Sequence, residues 1–493
     1  MRYKIVFSLI LILAIILRFW KLGSLPSGLT WDEAAIGYNA YGILTVHRDE
    51  WLARMPLVFM SFGDFKAPLL IYAVAFSEIF FGQTPFAVRL PVALAGVWLV
   101  VVSYLIAKQL TREKILALFV MFFVCISPWA IHFSRIAFES MLAASLFATS
   151  VWLFFVGLQK GKWLIGSAAL AVLSIYAYHS AKIVVPLSAL LLFALHRKNL
   201  TLHKKWLIKS ALIAAVLIAP LLYASVFGKA NARALSTTIF SNPNPITTFA
   251  THYLTHFDPS YLVLGHELTY RHSDFIDGIF APLELILVIA GVIVVCVDSR
   301  FKNMKFVPAI FLISVLPAAL GIDVPHANRA LLGLPWAQIL AGIGVFELWR
   351  RRNHFSRAGV ALVILFSLFS LGTYIGNYSK VYTSQLALNE FGYGYDALLP
   401  WLRTQEHTVD HVYFTNHYSQ AYIYLLFFKQ LNPIEYRQGG LANYTISDHP
   451  WEDAKDKKDV LVVGAKGQIP PNANIIKTID YPDGETAFQV ARL

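Results

Sequence analysis

Two adjacent carboxylates, Asp32 and Glu33, stand in the stretch "LTWDEAAIGYNAYGI" at residues 29–43, close behind the first apolar run of the chain. An acid beside aromatic and small residues can accept a proton from a hydroxyl nucleophile, and it does so best when cations nearby stabilise the charge that builds on a leaving group. Cations of that kind recur further on: Lys66 after Asp64 in "DFKAP", Arg135 in "SRIAFE", Lys182 with Tyr178 and His179 in "YHSAK", and Arg329 with His326 in "PHANRAL". A histidine-rich stretch, "THYLTHFDPSYLVLGHELTYRHSD", adds His252, His256, His266, Glu267, His272 and Asp274. The step from His252 to His256 would suit a metal on one helix face, but the favoured reading is an outer loop that folds over the site with solvated polar groups, and no metal is assigned.

The elements that position these residues follow from composition. The chain has 493 residues, of which 57% are apolar and 14% charged, with a mean hydropathy of +0.57. That leaves too little polar surface for a soluble globule and makes the chain a polytopic α-helical membrane protein. Its net charge of +12 sits in short clusters between apolar runs, the pattern of cytoplasmic loops beside anionic lipid rather than of a nucleic-acid surface. Cys125 and Cys296 lie inside apolar runs without Cys or His partners and fit neither a disulfide framework nor a zinc site.

Apolar stretches able to cross a bilayer fall at 5–20, 86–107, 115–131, 137–157, 162–178, 183–196, 206–226, 283–298, 305–321, 328–348 and 358–376, which makes about eleven spans. The first lacks a cleavage site and reads as an uncleaved span. Lys and Arg clusters mark every second gap, from Arg2 and Lys4 to "WRRRNHFSR", so the N-terminus is expected in the cytoplasm and the tail outside it. One stretch, 67–81, would break that alternation; at about 23 Å it is short for a span, carries Glu78 and reads as an amphipathic helix on the outer membrane surface. The expected organisation is a membrane domain over 1–376, with a first outer loop at 21–85 and a long outer loop at 227–282, followed by a small α/β domain over 377–493. In that tail "HVYFT", "DVLVVGA", "NIIKTIDY" and "TAFQVARL" read as strands and "AYIYLLFFKQL" as a helix. Every candidate acid and cation then faces one side, as a site that processes a substrate at a membrane boundary requires.

Each residue also has a plain structural reading. "TWDE" is a capping box, in which Thr30 accepts from the amide of Glu33 and Glu33 reaches back to that of Thr30; this accounts for Glu33 and leaves Asp32 as the better candidate base, kept ionised by the helix dipole. Lys66 either binds an anion or snorkels into the headgroups. Arg135 and Glu139, four apart, are either site residues or an ion pair on one helical face. Arg329 and Arg89 either bind or anchor at the interface. Tyr178, His179 and Lys182 either line an acceptor path or mark the end of a span.

The order of features, an uncleaved first span, "WDE" in a long outer loop, "FKAPLLIY" opening a surface helix, "FAVRLPVALAG", "SRIAFE" and "NRALLGLP", resembles the GT-C superfamily of membrane glycosyltransferases. Within it the chain is similar to the dolichyl-phosphate-mannose protein mannosyltransferase family, glycosyltransferase family 39, which includes the bacterial aminoarabinose transferases. The likeness covers about residues 1–350 and is most specific in the first hundred. It implies a GT-C fold and an inverting transfer of a sugar from a polyprenyl-phosphate donor to a lipid, protein or cell-surface glycan acceptor on the extracytoplasmic face of the cell membrane, with no cofactor required. It implies Asp32, with Glu33 beside it, as the catalytic carboxylate that deprotonates the acceptor, and Lys66 as the group that holds the donor phosphate. On chemical grounds Arg135 and Arg329 join Lys66 as cations for the departing phosphate, and Asp64, Tyr178, His179, Lys182 and His326 are candidate substrate contacts. In the aminoarabinose transferases the lysine follows a Glu, whereas Phe65 stands there in this chain, with Asp64 as the available substitute. The competing classes are a lipid-linked sugar transporter or flippase, which would carry charges at mid-membrane and show repeated halves, and a scaffold displaying the outer domain, which would need no acid and cation together.

Overall fold

The computed structural model describes residues 2–227, 238–274 and 276–493, apart from the side chain of Asp64. Part of the expected long outer loop, 228–237, therefore lies outside the described residues, as does any contact of the Asp64 carboxylate. Among the described residues seven helices are long and apolar enough to cross a membrane: Pro85–Thr111, Glu139–Gly157, Ala181–Thr201, Lys204–Val226, Ser299–Ala319, Ala327–Arg350 and His354–Val381. The other four expected spans are the shorter apolar helices Lys114–Ile126, Trp163–Ala177 and Pro282–Val297 and the first helix, Arg2–Phe19. Each of the eleven apolar stretches is thus a helix, and the stretch at 67–81 is the additional helix Pro68–Phe81.

The chain forms two compact units. The first comprises 1–20, 65–70 and 91–377 and is built on the run Ala327–Arg350, which is 89% buried, whereas Lys204–Val226 is only 11% buried and turns its apolar side chains outward, as a lipid-facing helix must. Small residues let the central helices approach closely. A Cβ on Gly291 would stand 2.0 Å from the Leu340 carbonyl oxygen, and one on Gly344 would stand 2.5 Å from that of Leu287, so Pro282–Val297 and Leu334–Arg350 meet backbone to backbone. The buried Gln338 amide nitrogen finds its partners within the bundle: it donates to Glu284 and, at 3.3 Å, to Ser127 Oγ.

Helix ends leave carbonyls that hydrocarbon cannot solvate, and two arginines close them. Arg18, fully buried near the end of the first helix, donates to the carbonyls of Val124 at 3.1 Å and Cys125 at 3.2 Å, at the end of Lys114–Ile126. Arg135 in turn donates to the carbonyls of Leu17 at 2.9 Å, Arg18 at 3.5 Å and Trp20 at 2.8 Å, at the end of the first helix. The two cations thus stitch the start of the chain to the segment around residue 130, where each also complements a helix dipole.

The second unit comprises 21–64, 71–90 and 378–493. The compact division therefore joins most of the first outer loop to the C-terminal segment, where the sequence suggested a break at 376/377 alone. The cause is long-range packing. A Cβ on Gly37 would stand 2.5 Å from the Phe427 ring, the Tyr424 hydroxyl donates to the Leu29 carbonyl at 2.9 Å, and the Tyr422 hydroxyl donates to Glu50 at 3.0 Å. The C-terminal sheet has the order β4-β3-β5-β7-β6, with β3 (His411–Thr415), β4 (Tyr444–Ser447), β5 (Val460–Gly464), β6 (Ile475–Asp480) and β7 (Thr486–Arg492). β3 pairs in parallel with β4 and β5, and β7 is antiparallel to β5 and β6. The wholly buried run in β5 is the mark of a strand covered on both faces. The four strands and the helix Ala421–Lys429 expected from sequence are present; β4, a half-buried polar strand, was not expected.

Candidate active site

In the second unit the helix Trp31–Val46 begins with the capping box in full: Thr30 Oγ1 accepts from the Glu33 amide at 3.2 Å, and Glu33 Oε2 accepts from the Thr30 amide at 3.0 Å. The same carboxylate receives Arg89, whose Nε donates to Oε1 at 2.7 Å and whose Nη2 donates to Oε2 at 3.1 Å. Arg89 spends its other donors on the carbonyls of Leu22 (3.2 Å), Pro26 (2.8 Å) and Gly28 (2.7 Å), so all five guanidinium N–H groups are used. Arg89 is fully buried and Glu33 is 1% exposed. Arg89 is therefore a structural centre of the loop at 22–33 rather than an interfacial anchor, and Glu33 is committed to cap and ion pair. Asp32, in the same first turn, is half-buried.

Breaking that pair strands a buried charge. Arg89→Ala is expected to destabilise the protein by about 3–5 kcal/mol, with the joint replacement Glu33→Gln/Arg89→Met costing less than the single variant because no charge is left behind. Thermal unfolding of the three purified proteins in one detergent measures both.

The strands β1 (Phe59–Ser61) and β2 (Asp64–Lys66) precede the helix Pro68–Phe81, and Lys66, closing β2, is 3% exposed. Its ammonium is enclosed by protein and does not snorkel from the helix that follows. The neighbouring Phe65 carbonyl lies 2.8 Å from His179 Nε2, so "YHSAK" meets the Lys66 segment; Tyr178 and Lys182 are half-buried on either side. Arg135 lies in the turn before the helix Glu139–Gly157, so it and Glu139 do not share a helical face, and its guanidinium is engaged with the carbonyls that end the first helix.

The histidine-rich segment packs onto "PHANRAL" rather than standing in solvent. His252 Nδ1 lies 2.9 Å from the Gly321 carbonyl oxygen. His256 Nδ1–H donates to the His252 carbonyl at 2.7 Å, and its Nε2 accepts from the His326 amide at 3.1 Å. Burial holds His256 down to about 4, so the neutral ring needed for that pattern is the form present at neutral pH. His252 and His256 are thus tied to backbone groups, not aligned as a metal pair. Glu267, 7% exposed, accepts the Ala327 amide on both carboxylate oxygens, at 3.1 and 3.3 Å. Burial pushes its pKa well above the usual range, against the Ala327 amide and the Arg329 charge, which favour the ionised form. His272 stacks on Phe133 and meets His326, with ring centroids 4.4 Å apart. His326 and Arg329 therefore come together with Glu267, His272 and His256, a grouping that sequence spacing did not reveal; only the shared richness in His and Glu pointed to the segment.

Arg329 rests against Gly321, where an added Cβ would stand 1.8 Å from its Nη1. Gly321→Ala must displace the guanidinium while leaving its charge in place. On the polyprenyl-phosphate donor that the family resemblance implies, the expected result is a severalfold higher KM for that donor with little loss of thermal stability, read by initial rates against donor concentration.

Comparison with known proteins gives one consistent fold. The model of the dolichyl-phosphate-mannose-protein mannosyltransferases matches residues 65–223. "Putative mannosyltransferase YkcB" of Bacillus subtilis (strain 168) is 32% identical over 143 residues, 28% of this chain, and the match spans 20% of that protein's length. Among solved structures, ArnT from Cupriavidus metallidurans bound to undecaprenyl phosphate has a TM-score of 0.60 at 13% identity, covering 98% of this chain and 97% of that one. The oligosaccharyltransferase AglB from Archaeoglobus fulgidus, in complex with an inhibitory peptide and a dolichol-phosphate, has a TM-score of 0.53 at 13% identity, covering 86% of this chain and 63% of that one. The chain is thus a polytopic membrane protein with the fold of the GT-C glycosyltransferases, and residues 65–223 carry its likeness to the dolichyl-phosphate-mannose-protein mannosyltransferases.

Proposed function

We propose that the protein is an inverting glycosyltransferase of the extracytoplasmic membrane face, which moves a sugar from a polyprenyl-phosphate donor to a hydroxyl-bearing acceptor. The observation that carries this reading is the likeness along nearly the whole chain to a protein solved with undecaprenyl phosphate. In the proposed reaction Asp32 takes the proton of the acceptor hydroxyl as its oxygen forms a bond to the anomeric carbon, and the bond from that carbon to the phosphate oxygen breaks on the opposite face. The electron pair leaves with the polyprenyl phosphate, whose charge rises from one to two negatives. Lys66 and Arg329 supply the fixed positive charge that this step rewards, with His179 ordering the Lys66 segment. Glu33 and Arg89 hold the loop that carries Asp32, and Arg135 closes the first helix; neither Glu33 nor Arg135 is assigned to the chemistry.

The same reading places the N-terminus in the cytoplasm, the C-terminal segment outside, and the protein in the cell membrane. Purified protein in detergent, offered a panel of radiolabelled polyprenyl-phosphate sugars together with membrane extract, is expected to label one acceptor class with inverted anomeric configuration. Absence of transfer from every donor would overturn the reading.

A further inference from the structure

We infer that Glu267, His272 and His326 form a binding site for a single late first-row divalent cation of the zinc type, which ties the outer loop 257–281 to the turn at 321–329. The donor atoms come from two separated segments, all lie within 4.8 Å of one another, and two of the three residues are buried. His272 Nδ1 is 3.6 Å from Glu267 Oε1, and the His272 and His326 rings are inclined at 36°, so their nitrogens can turn towards a common point. A tetrahedral shell with ligands at roughly 2.0–2.2 Å puts donors about 3.3 Å apart, so closure asks only for modest side-chain rotation. Two imidazoles and one carboxylate match a nitrogen-preferring cation, not the all-oxygen shells of Mg2+ or Ca2+, and three protein ligands leave a fourth position open.

A second observation points to a missing occupant. Glu267 and His272 line a pocket of ≈ 20 Å³, room for one water-sized species. Tyr261 lines the same pocket, 3% exposed, and the described residues offer its hydroxyl no hydrogen-bond partner. Asp274 and Asp277 also line it. Ala327 N–H meanwhile fixes the Glu267 carboxylate, as groups behind metal ligands commonly do. The site does not depend on the transfer reaction proposed above.

The test uses the full-length protein in detergent, freed of metal by chelation and titrated with Co2+, whose visible absorption reports coordination geometry. The expected result is one equivalent bound, with a tetrahedral spectrum that Zn2+ abolishes. Glu267→Gln and His326→Asn should each weaken binding at least about tenfold, since even groups behind a ligand are commonly worth that much. Asp298→Asn, a half-buried replacement elsewhere, should bind as wild type does. Gel filtration confirms that each variant is folded, and His272→Asn replaces any that is not. Wild-type protein that takes up no saturable cobalt, because the pocket holds water only, would overturn the inference, as would folded ligand variants that bind it equally well.

Discussion

Asp32→Asn is expected to lower the rate constant for sugar transfer by about 10²–10⁴, the contribution a positioned general base makes, while leaving donor affinity and thermal stability near wild type. The separation follows from the first turn of Trp31–Val46. The cap and the buried ion pair there belong to Thr30, Glu33 and Arg89, so removing the Asp32 charge leaves both in place and gives up about 0.3–1 kcal/mol of interaction with the helix dipole. Glu33→Gln should behave in the opposite sense, lowering the unfolding temperature because it weakens the buried pair with Arg89, and affecting transfer only in proportion to the folded fraction. Single-turnover transfer and thermal unfolding of the two variants side by side decide the assignment. An Asp32→Asn protein that keeps more than about a tenth of the wild-type rate is no general-base variant, and Asp32 would then be an ordinary first-turn acid.

The sequence made legible whatever depends on local pattern. Each of the eleven apolar stretches is a helix, the short stretch with Glu78 is the separate helix Pro68–Phe81, and the capping box at Thr30 and Glu33 is formed as its spacing requires. Where partners lie far apart in sequence, reading failed in a consistent direction. Arg89 and Arg135 look like boundary charges, yet they, like Arg18, find carbonyl groups exposed by a chain end or turn and are buried for that reason. Four-residue spacing suggested a helical pair for Arg135 and Glu139, but the helix starts only at Glu139. The same spacing suggested a metal pair at His252 and His256, whereas backbone groups from 321–326 took up those rings. The Glu267, His272 and His326 cluster joins residues 59 positions apart at its widest, which no periodicity can announce. Nor can periodicity show that residues 21–64 pack with the C-terminal segment, because that depends on aromatic side chains such as Tyr424 and Phe427 meeting backbone some 390 positions away.

Lys66 offers the sharpest test of where positive charge acts. A polyprenyl-phosphate sugar carries one negative charge and its departing phosphate carries two, so an ammonium held beside that phosphate interacts more strongly with the transition state than with the bound donor. Interactions that grow along the reaction raise kcat rather than only lowering KM. Lys66→Met keeps most of the apolar stem and volume of a side chain that is 3% exposed and removes the charge together with the ammonium N–H donors. It is expected to reduce kcat by about 10²–10³, the usual effect of deleting one preorganised oxyanion partner, with a smaller rise in KM for the donor. Lys66→Arg keeps the charge but spreads it over a planar fork that the closed strand end does not accommodate, so partial recovery is expected. The order wild type, Arg, Met in kcat therefore reports charge at the phosphate, whereas a packing role would rank Met above Arg. Steady-state kinetics with the donor identified by the transfer assay gives that order, and a Met variant with unchanged kcat would remove Lys66 from the chemistry and leave Arg329 as the cation to examine.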